Sequence, residues 1–278
     1  MAYFKSRHTL KSQDAYLASL ALSDLLQALI GYPAEIRSLI KDEPQQSETE
    51  ICRWTGFVVT FLGLVSINHL MFMSIERALV VSYPFSTIFK SKKFVLSLIL
   101  VSWILGFFWA FFPLVGWSSY ATEKDNHRCS INWVDETASG KMYVYTLFAF
   151  QFMLPVIIIF ISFAFLRFEM KRMMSRVSEN NQYSPNEDAS GQRKTTRMII
   201  VITIAFFVSW TPYAVVSLYT TLTADKYDLL SKQLVLYVAL AAKSSTLLNP
   251  IIYAIMYNDF RQIIIKMFRR WRVEAGGE

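Results

Sequence analysis

Cysteine, histidine and charge are scarce in this chain. Its 278 residues include two cysteines and three histidines, and only 18% are Asp, Glu, Lys or Arg. Two cysteines allow at most one intramolecular disulfide, and no metal site is expected. No repeat and no low-complexity tract is present, which removes repeat architectures. No basic run is interleaved with aromatics, so the net charge of +7 is no sign of nucleic-acid binding. The basic tail 258–272 has no cysteine, which excludes palmitoylation there. The first apolar segment, from about residue 15, is too long and too polar at its start for a cleaved signal peptide.

What the chain has in abundance is apolar length. Residues of the AVILMFWYC set make up 54%, with a mean hydropathy of +0.32. Six segments, roughly 15–40, 54–82, 94–116, 143–167, 198–222 and 233–256, are long enough to span, since about 20 helical residues cross a hydrocarbon core of ~30 Å. Eighteen Lys and Arg residues flank one set of segment ends and eight flank the other. The richer set is expected to be cytoplasmic, so both termini are expected inside. The positive charge thus describes topology. Cys52 and Cys129 both fall on the outer side, where disulfides persist. One starts a helix and the other lies in the loop 117–141, so a bridge is expected over two free thiols.

The connecting segments are polar. Residues 1–14 read as a cytoplasmic stub, 41–51 and 117–141 as outer loops, 83–93 as an inner loop, 175–192 as a flexible linker and 223–232 as a short outer turn. In the tail, Phe260, Ile263, Ile264, Met267, Phe268 and Trp271 recur at helical spacing, with Arg261, Lys266, Arg269, Arg270 and Arg272 on other faces. That pattern predicts a basic amphipathic helix on the inner leaflet, with a target helix for a soluble partner as the alternative. The expected division is 1–257 for the membrane domain and 258–278 for the amphipathic helix and cytoplasmic tail.

Lys243 is the only charged residue in the run from Leu234 to Met256. A bare ammonium at the bilayer centre costs on the order of 3 kcal/mol or more. Such a lysine is either paired with a buried carboxylate or converted to something less costly, such as a Schiff base with an aldehyde.

Several short motifs accompany it. Glu76-Arg77-Ala78 ends the second span, and Asn249-Pro250-Ile251-Ile252-Tyr253 ends the last. Ser209-Trp210-Thr211-Pro212-Tyr213 lies in the fifth, Asp24 in the first and Trp103 in the third. Singly each is ordinary. In this order they resemble the rhodopsin-like G-protein-coupled receptors, over nearly the whole chain. Within that family, a lysine six residues before the Asn-Pro pair resembles the retinal-binding lysine of animal opsins. The resemblance implies an all-α membrane protein, a light receptor and not an enzyme, with retinal (11-cis or a related isomer) on Lys243 as a Schiff base. It implies a heterotrimeric G protein and arrestin as partners, and residence in a plasma or photoreceptor membrane with the C-terminus cytoplasmic.

A protonated Schiff base needs a counterion. Glu123 stands six residues before Cys129, the spacing of the loop glutamate that many opsins use. Glu35 follows Asp24 by eleven residues, three helical turns plus about 20°, so both acids share a face on a regular helix. Arg37, two residues on, does not share it. Thr55 stands where vertebrate visual pigments carry their counterion, so that arrangement is absent and both glutamates remain open. The resemblance also implies a pocket: Trp210 and Tyr213 flanking the polyene, Phe206 one turn away, and Thr60, Gly63, Phe152, Trp133 and Ala239 at matching positions.

At the inner face, Arg77 is expected to pair with Glu76 at rest and to release as helices part, with Asp24, Asn249, Pro250 and Tyr253 completing the switch. Two positions depart from the family: Ala78 replaces the usual aromatic, and Gln192 replaces an acid that reaches Arg77 from a neighbouring helix. The chain also opens directly into the family's second span. Six spanning helices of a seven-helix bundle are therefore expected, and a piece of a longer protein over a working six-helix one. Two other functions are weighed: a retinal photoisomerase with little signalling, and an ion transporter with a buried lysine, which would not need the inner-face motifs.

Overall fold

The structure, a computed structural model, describes residues 12–46, 49–83, 85–179, 187–223, 230–256 and 261. Within them, residues 12–13, 173–179 and 187–193 are described by backbone alone. The amphipathic helix expected over 258–278 lies outside the described residues except for Arg261, and the side chain of Gln192 lies outside them too.

Eight α-helices and one hairpin make up the described fold. Helix α1 (Ser12–Leu26) runs through a π-turn (Gln27–Gly31) into α2 (Pro33–Lys41). The widening has a local cause. Pro33 has no N–H to return to the preceding turn, and the amide of Tyr32 instead bonds to Gln27 O, five residues back, at 3.1 Å. Helix α3 (Glu50–Ser82) is capped by Thr49, whose Oγ1 accepts from Cys52 N at 3.2 Å. Helix α4 (Lys92–Phe111) is capped in the same way by Ser91 and ends in a 3-10 turn (Phe112–Leu114) at Pro113. Such caps satisfy amide groups that the first helical turn leaves open. Strands β1 (Tyr120–Thr122) and β2 (Cys129–Ile131) pair antiparallel, Tyr120 opposite Ile131 and Thr122 opposite Cys129. Helix α5 (Ala138–Phe148) passes through a second π-turn (Ala149–Met153) into α6 (Leu154–Glu179), where Pro155 acts as Pro33 does. Helices α7 (Glu187–Leu222) and α8 (Lys232–Met256) each contain an internal proline, Pro212 and Pro250.

These helices form six stretches long and apolar enough to cross a membrane: Asp14–Lys41, Glu50–Ser82, Lys92–Leu114, Ala138–Arg172, Lys194–Leu222 and Lys232–Met256. They match the six expected segments. Only 22% of the most apolar window of the third is buried within the protein, although it is among the most apolar of the six. Apolar side chains such as Leu100, Ile104 and Phe108 therefore face outward, as a lipid-facing helix requires. The protein is an integral membrane protein.

Helix α3 is the central post. It packs against α1, α4, α6, α7 and both strands, while α7 packs on α8 and α8 on α1. Close approach of α3 and α4 depends on Gly106, where an added Cβ would sit 2.7 Å from Val65 Cγ2 and 3.0 Å from Val65 N. Small residues at such crossings are how membrane helices pack tightly. One core gathers Tyr16, Leu20, Leu70, Met73, Ile202 and Tyr253. The other lies under the hairpin and gathers Phe57, Leu62, Tyr120, Ile131 and Tyr143.

The hairpin closes one end of the bundle. A disulfide joins Cys52 at the start of α3 to Cys129 on β2, with S–S 2.02 Å, which is the bridge expected from sequence. Tyr120 donates to Ala110 O at 2.7 Å. Burial pushes its phenol well above the usual tyrosine range, so it stays a donor at any working pH.

Candidate functional site

Lys243 lies near the middle of α8 and turns toward α2. Its ammonium is ion-paired with Glu35 Oε2, and the Glu35 side chain is 4% exposed against 18% for Lys243. Oε1 of Glu35 is buried with no hydrogen-bond partner among the described residues. The Tyr32 ring centroid lies 5.3 Å from Lys243 Nζ, so the cation has a carboxylate and an aromatic face as neighbours. The helix between Asp24 and Glu35 is not the regular one assumed from spacing, because the π-turn interrupts it. Both acids nonetheless reach α8: Asn249 Nδ2 donates to Asp24 Oδ2 at 2.9 Å, six residues along from Lys243.

Beside Lys243 is a cavity of about 130 Å³. Thr60 and Gly63 of α3, Phe152 of the second π-turn, Phe206, Trp210 and Tyr213 of α7, Ala239 and Lys243 of α8, and Glu123 and Trp133 of the loop all line it. Among the residues expected at the site, Glu35 alone is outside the lining, and it is the one in contact with Lys243. Phe206 stacks on Trp210 at 5.6 Å, Trp210 meets Tyr213 edge-on at 6.2 Å, and Trp210 Nε1 donates to Ser245 Oγ at 3.0 Å. An added Cβ on Gly63 would approach Trp210 Cη2 to 2.9 Å. Only glycine leaves the indole its place on the cavity wall.

Glu123, the other acid, is engaged away from Lys243. Tyr213 donates to its Oε1 at 2.6 Å, and Arg128 Nη2 lies 2.8 Å from its Oε2. Arg128 Nε in turn donates to Asp125 Oδ2 at 2.8 Å. All three charged side chains are at least nine-tenths buried. Burial alone would lower the Arg128 pKa. The adjacent Glu123 and Asp125 outweigh it and hold the guanidinium above its ordinary value, so Arg128 is a fixed cation. Trp133 Nε1 donates to Tyr213 OH at 3.1 Å and closes the cluster. The chain folds this way locally because the turn between the strands is tight: Glu123 N bonds to Arg128 O at 2.8 Å and Asn126 N to Glu123 O at 2.8 Å. That turn brings residues 123 and 128 to the same edge.

At the opposite end of the bundle, Arg77 Nε donates to Glu76 Oε2 at 2.6 Å, with a second contact between Nη2 and Oε1. Both residues are buried, and Tyr253 is buried nearby in the core shared with Tyr16. Among the described residues, no group of three or more His, Cys, Asp or Glu could hold a metal ion.

Sequence reasoning missed Tyr32, Arg128 and Ser245. Tyr32 precedes Glu35 by three residues, a helical neighbour spacing that could have flagged it. Arg128, next to Cys129 in sequence, enters the sequence argument only through the count of outer-side basic residues. Ser245 had no signal in the sequence, because its role exists only through α7–α8 packing.

The chain is similar to known proteins over most of its length. The family described as "7 transmembrane receptor (rhodopsin family)" matches residues 1–253. The chain is 28% identical to the visual pigment-like receptor peropsin of Homo sapiens, over 96% of this chain and 77% of that one. It is also 28% identical to pinopsin of Columba livia, over 90% and 70%. Its fold matches the crystal structure of squid rhodopsin with a TM-score of 0.84 at 21% identity, over 98% of this chain and 79% of that one. The chain belongs to the rhodopsin family of seven-transmembrane receptors, and within it to the animal opsins.

Proposed function

We propose that this protein is a light receptor that carries retinal on Lys243, with Glu35 as counterion, and passes the signal to a heterotrimeric G protein. The observation that carries the reading is Lys243 itself. Among the described residues it is the one lysine that lines the aromatic cavity, and it is held by a buried carboxylate.

The residues present fit the group. Lys243 Nζ can form a C=N bond with the aldehyde carbon, with loss of water. The cavity walls are mainly apolar and aromatic, suited to a polyene. The orphaned Oε1 of Glu35 is a further acceptor beside the nitrogen. Retinal, when bound, supplies light absorption and a change of shape. The remaining work belongs to the chain. Glu35 holds the positive charge at the nitrogen, since burial otherwise disfavours the charged form. Trp210 and Phe206 form the wall that a change of shape would press. Trp210 is tied to α8 through Ser245, so movement there would be shared by both proline-containing helices.

The far end supports signalling. Arg77 held by Glu76 is a pair whose release would open the bundle to a G protein, with arrestin as a further partner of the open form, and the C-terminus on the same cytoplasmic side. These are two-state arguments. The test is reconstitution with 11-cis retinal in nanodiscs. The expected result is a visible band that bleaches with hydroxylamine, absent in Lys243→Ala, together with light-dependent nucleotide exchange on a G protein. Light-driven release of a retinal isomer without nucleotide exchange would instead favour a photoisomerase. The absence of any band would overturn the retinal reading.

A further inference from the structure

Two carboxylates stand near the cavity, Glu123 in its lining and Glu35 against Lys243. We infer that Arg128 makes the choice: by engaging Glu123 it withholds that residue from the chromophore nitrogen and leaves Glu35 as the working counterion. The inference rests on the retinal reading above.

Among the described residues, the charged groups lining the cavity are Lys243, Glu123 and Arg128, with Glu35 in contact with Lys243. Asp125 also contacts Arg128, the Tyr32 ring stands beside Lys243, and the Tyr213 phenol donates to Glu123. The charges therefore fall into two groups, Glu35 with Lys243, and Glu123 with Asp125 around Arg128. Glu35 meets Lys243. Glu123 meets Arg128 at 2.8 Å on one oxygen and the Tyr213 hydroxyl at 2.6 Å on the other. A carboxylate with a buried guanidinium in contact presents a weaker field to a third group, because the adjacent cation offsets it. Asp125 accepts from Nε of the same guanidinium at 2.8 Å and fixes the direction of its fork. Removing Arg128 would leave Glu123 as a buried anion on the cavity wall, with Lys243 as the remaining cation in the lining.

The test uses pigments reconstituted with 11-cis retinal. Each spectrum is normalised to the retinal still attached after acid denaturation, so pigment quantity and charge state are read separately. Glu35→Gln alone should absorb mainly in the ultraviolet at a pH where the parent is visible. Adding Arg128→Gln should restore at least half of the visible amplitude, because Glu123 becomes available. Adding Glu123→Gln to that double variant should abolish it again. Glu35→Gln with Arg128→Lys, which keeps the cation, should stay in the ultraviolet. A Glu35→Gln/Arg128→Gln pigment that forms in normal amount and stays in the ultraviolet overturns the inference.

Should Arg128→Gln fail to fold, Glu123→Gln with Arg128 intact gives a second measurement. It should move the pH midpoint of the visible band by less than a third of the shift caused by Glu35→Gln. A larger shift overturns the inference. Loss of all pigment in the parent would instead remove the retinal reading.

Discussion

Replacing Glu35 by Gln isolates the charge on which the site depends. The change keeps the shape and takes away the anion in contact with Lys243. Two unit charges about 4 Å apart interact by roughly 4 kcal/mol at an effective dielectric near 20. Lys243 is partly open, with 18% of its side chain exposed, which trims the figure to about 3 kcal/mol. At about 1.36 kcal/mol per pH unit, that is about two units. The sign follows from the charge: without the anion the protonated nitrogen is less stable, so it loses its proton at lower pH. The assay is a spectroscopic titration of the reconstituted pigment, following the visible band as it gives way to the ultraviolet. The midpoint for Glu35→Gln should lie about two units below that of the parent. A shift smaller than half a unit would refute the reasoning, because it would mean that Glu35 does not carry the compensating charge.

Three further predictions follow from the same geometry. Without retinal, Lys243→Ala should destabilise the chain by about 3 kcal/mol, since it strands the buried Glu35, and Glu35→Gln added to it should recover most of that; thermal denaturation in detergent measures both. Gly63→Val should displace Trp210, given the 2.9 Å approach of even a Cβ, and the retinal-bound fraction should fall severalfold. The Arg128–Glu123 pair should be independent of pH on its basic side. A base whose pKa rises on folding contributes stability that is fully present below its unfolded value, which for arginine lies far above any working pH, and is lost only above that; Trp fluorescence from the loop should therefore hold constant between about pH 7 and 10.

Much of the fold was legible because membrane spans are written in composition. An apolar stretch of some twenty residues has few alternatives to a spanning helix, and the six expected segments match the six observed. The disulfide followed from two cysteines on one side. Lys243 was legible for a similar reason, since it is the only charged residue between Leu234 and Met256. The pocket residues came from resemblance, and the structure gathers them around one cavity. Less was legible where a backbone irregularity or a contact between elements decides. The wide turns before Pro33 and Pro155 broke the simple helical phase, and the proline in each case hinted only that something would.

The sequence by itself determined the six apolar segments, the cysteine pair and the buried lysine, because each depends on local composition or on scarcity. Only the tertiary structure decided which glutamate meets that residue. Glu35 and Glu123 have equal claims along the chain. The tight turn from Glu123 to Arg128 and the inward reach of Tyr213 engage one of them, while the swing of α2 after Pro33 brings the other to Lys243. Charge pairing inside a bundle is settled by which buried partner lies within contact distance, and that distance is a property of the packed helices.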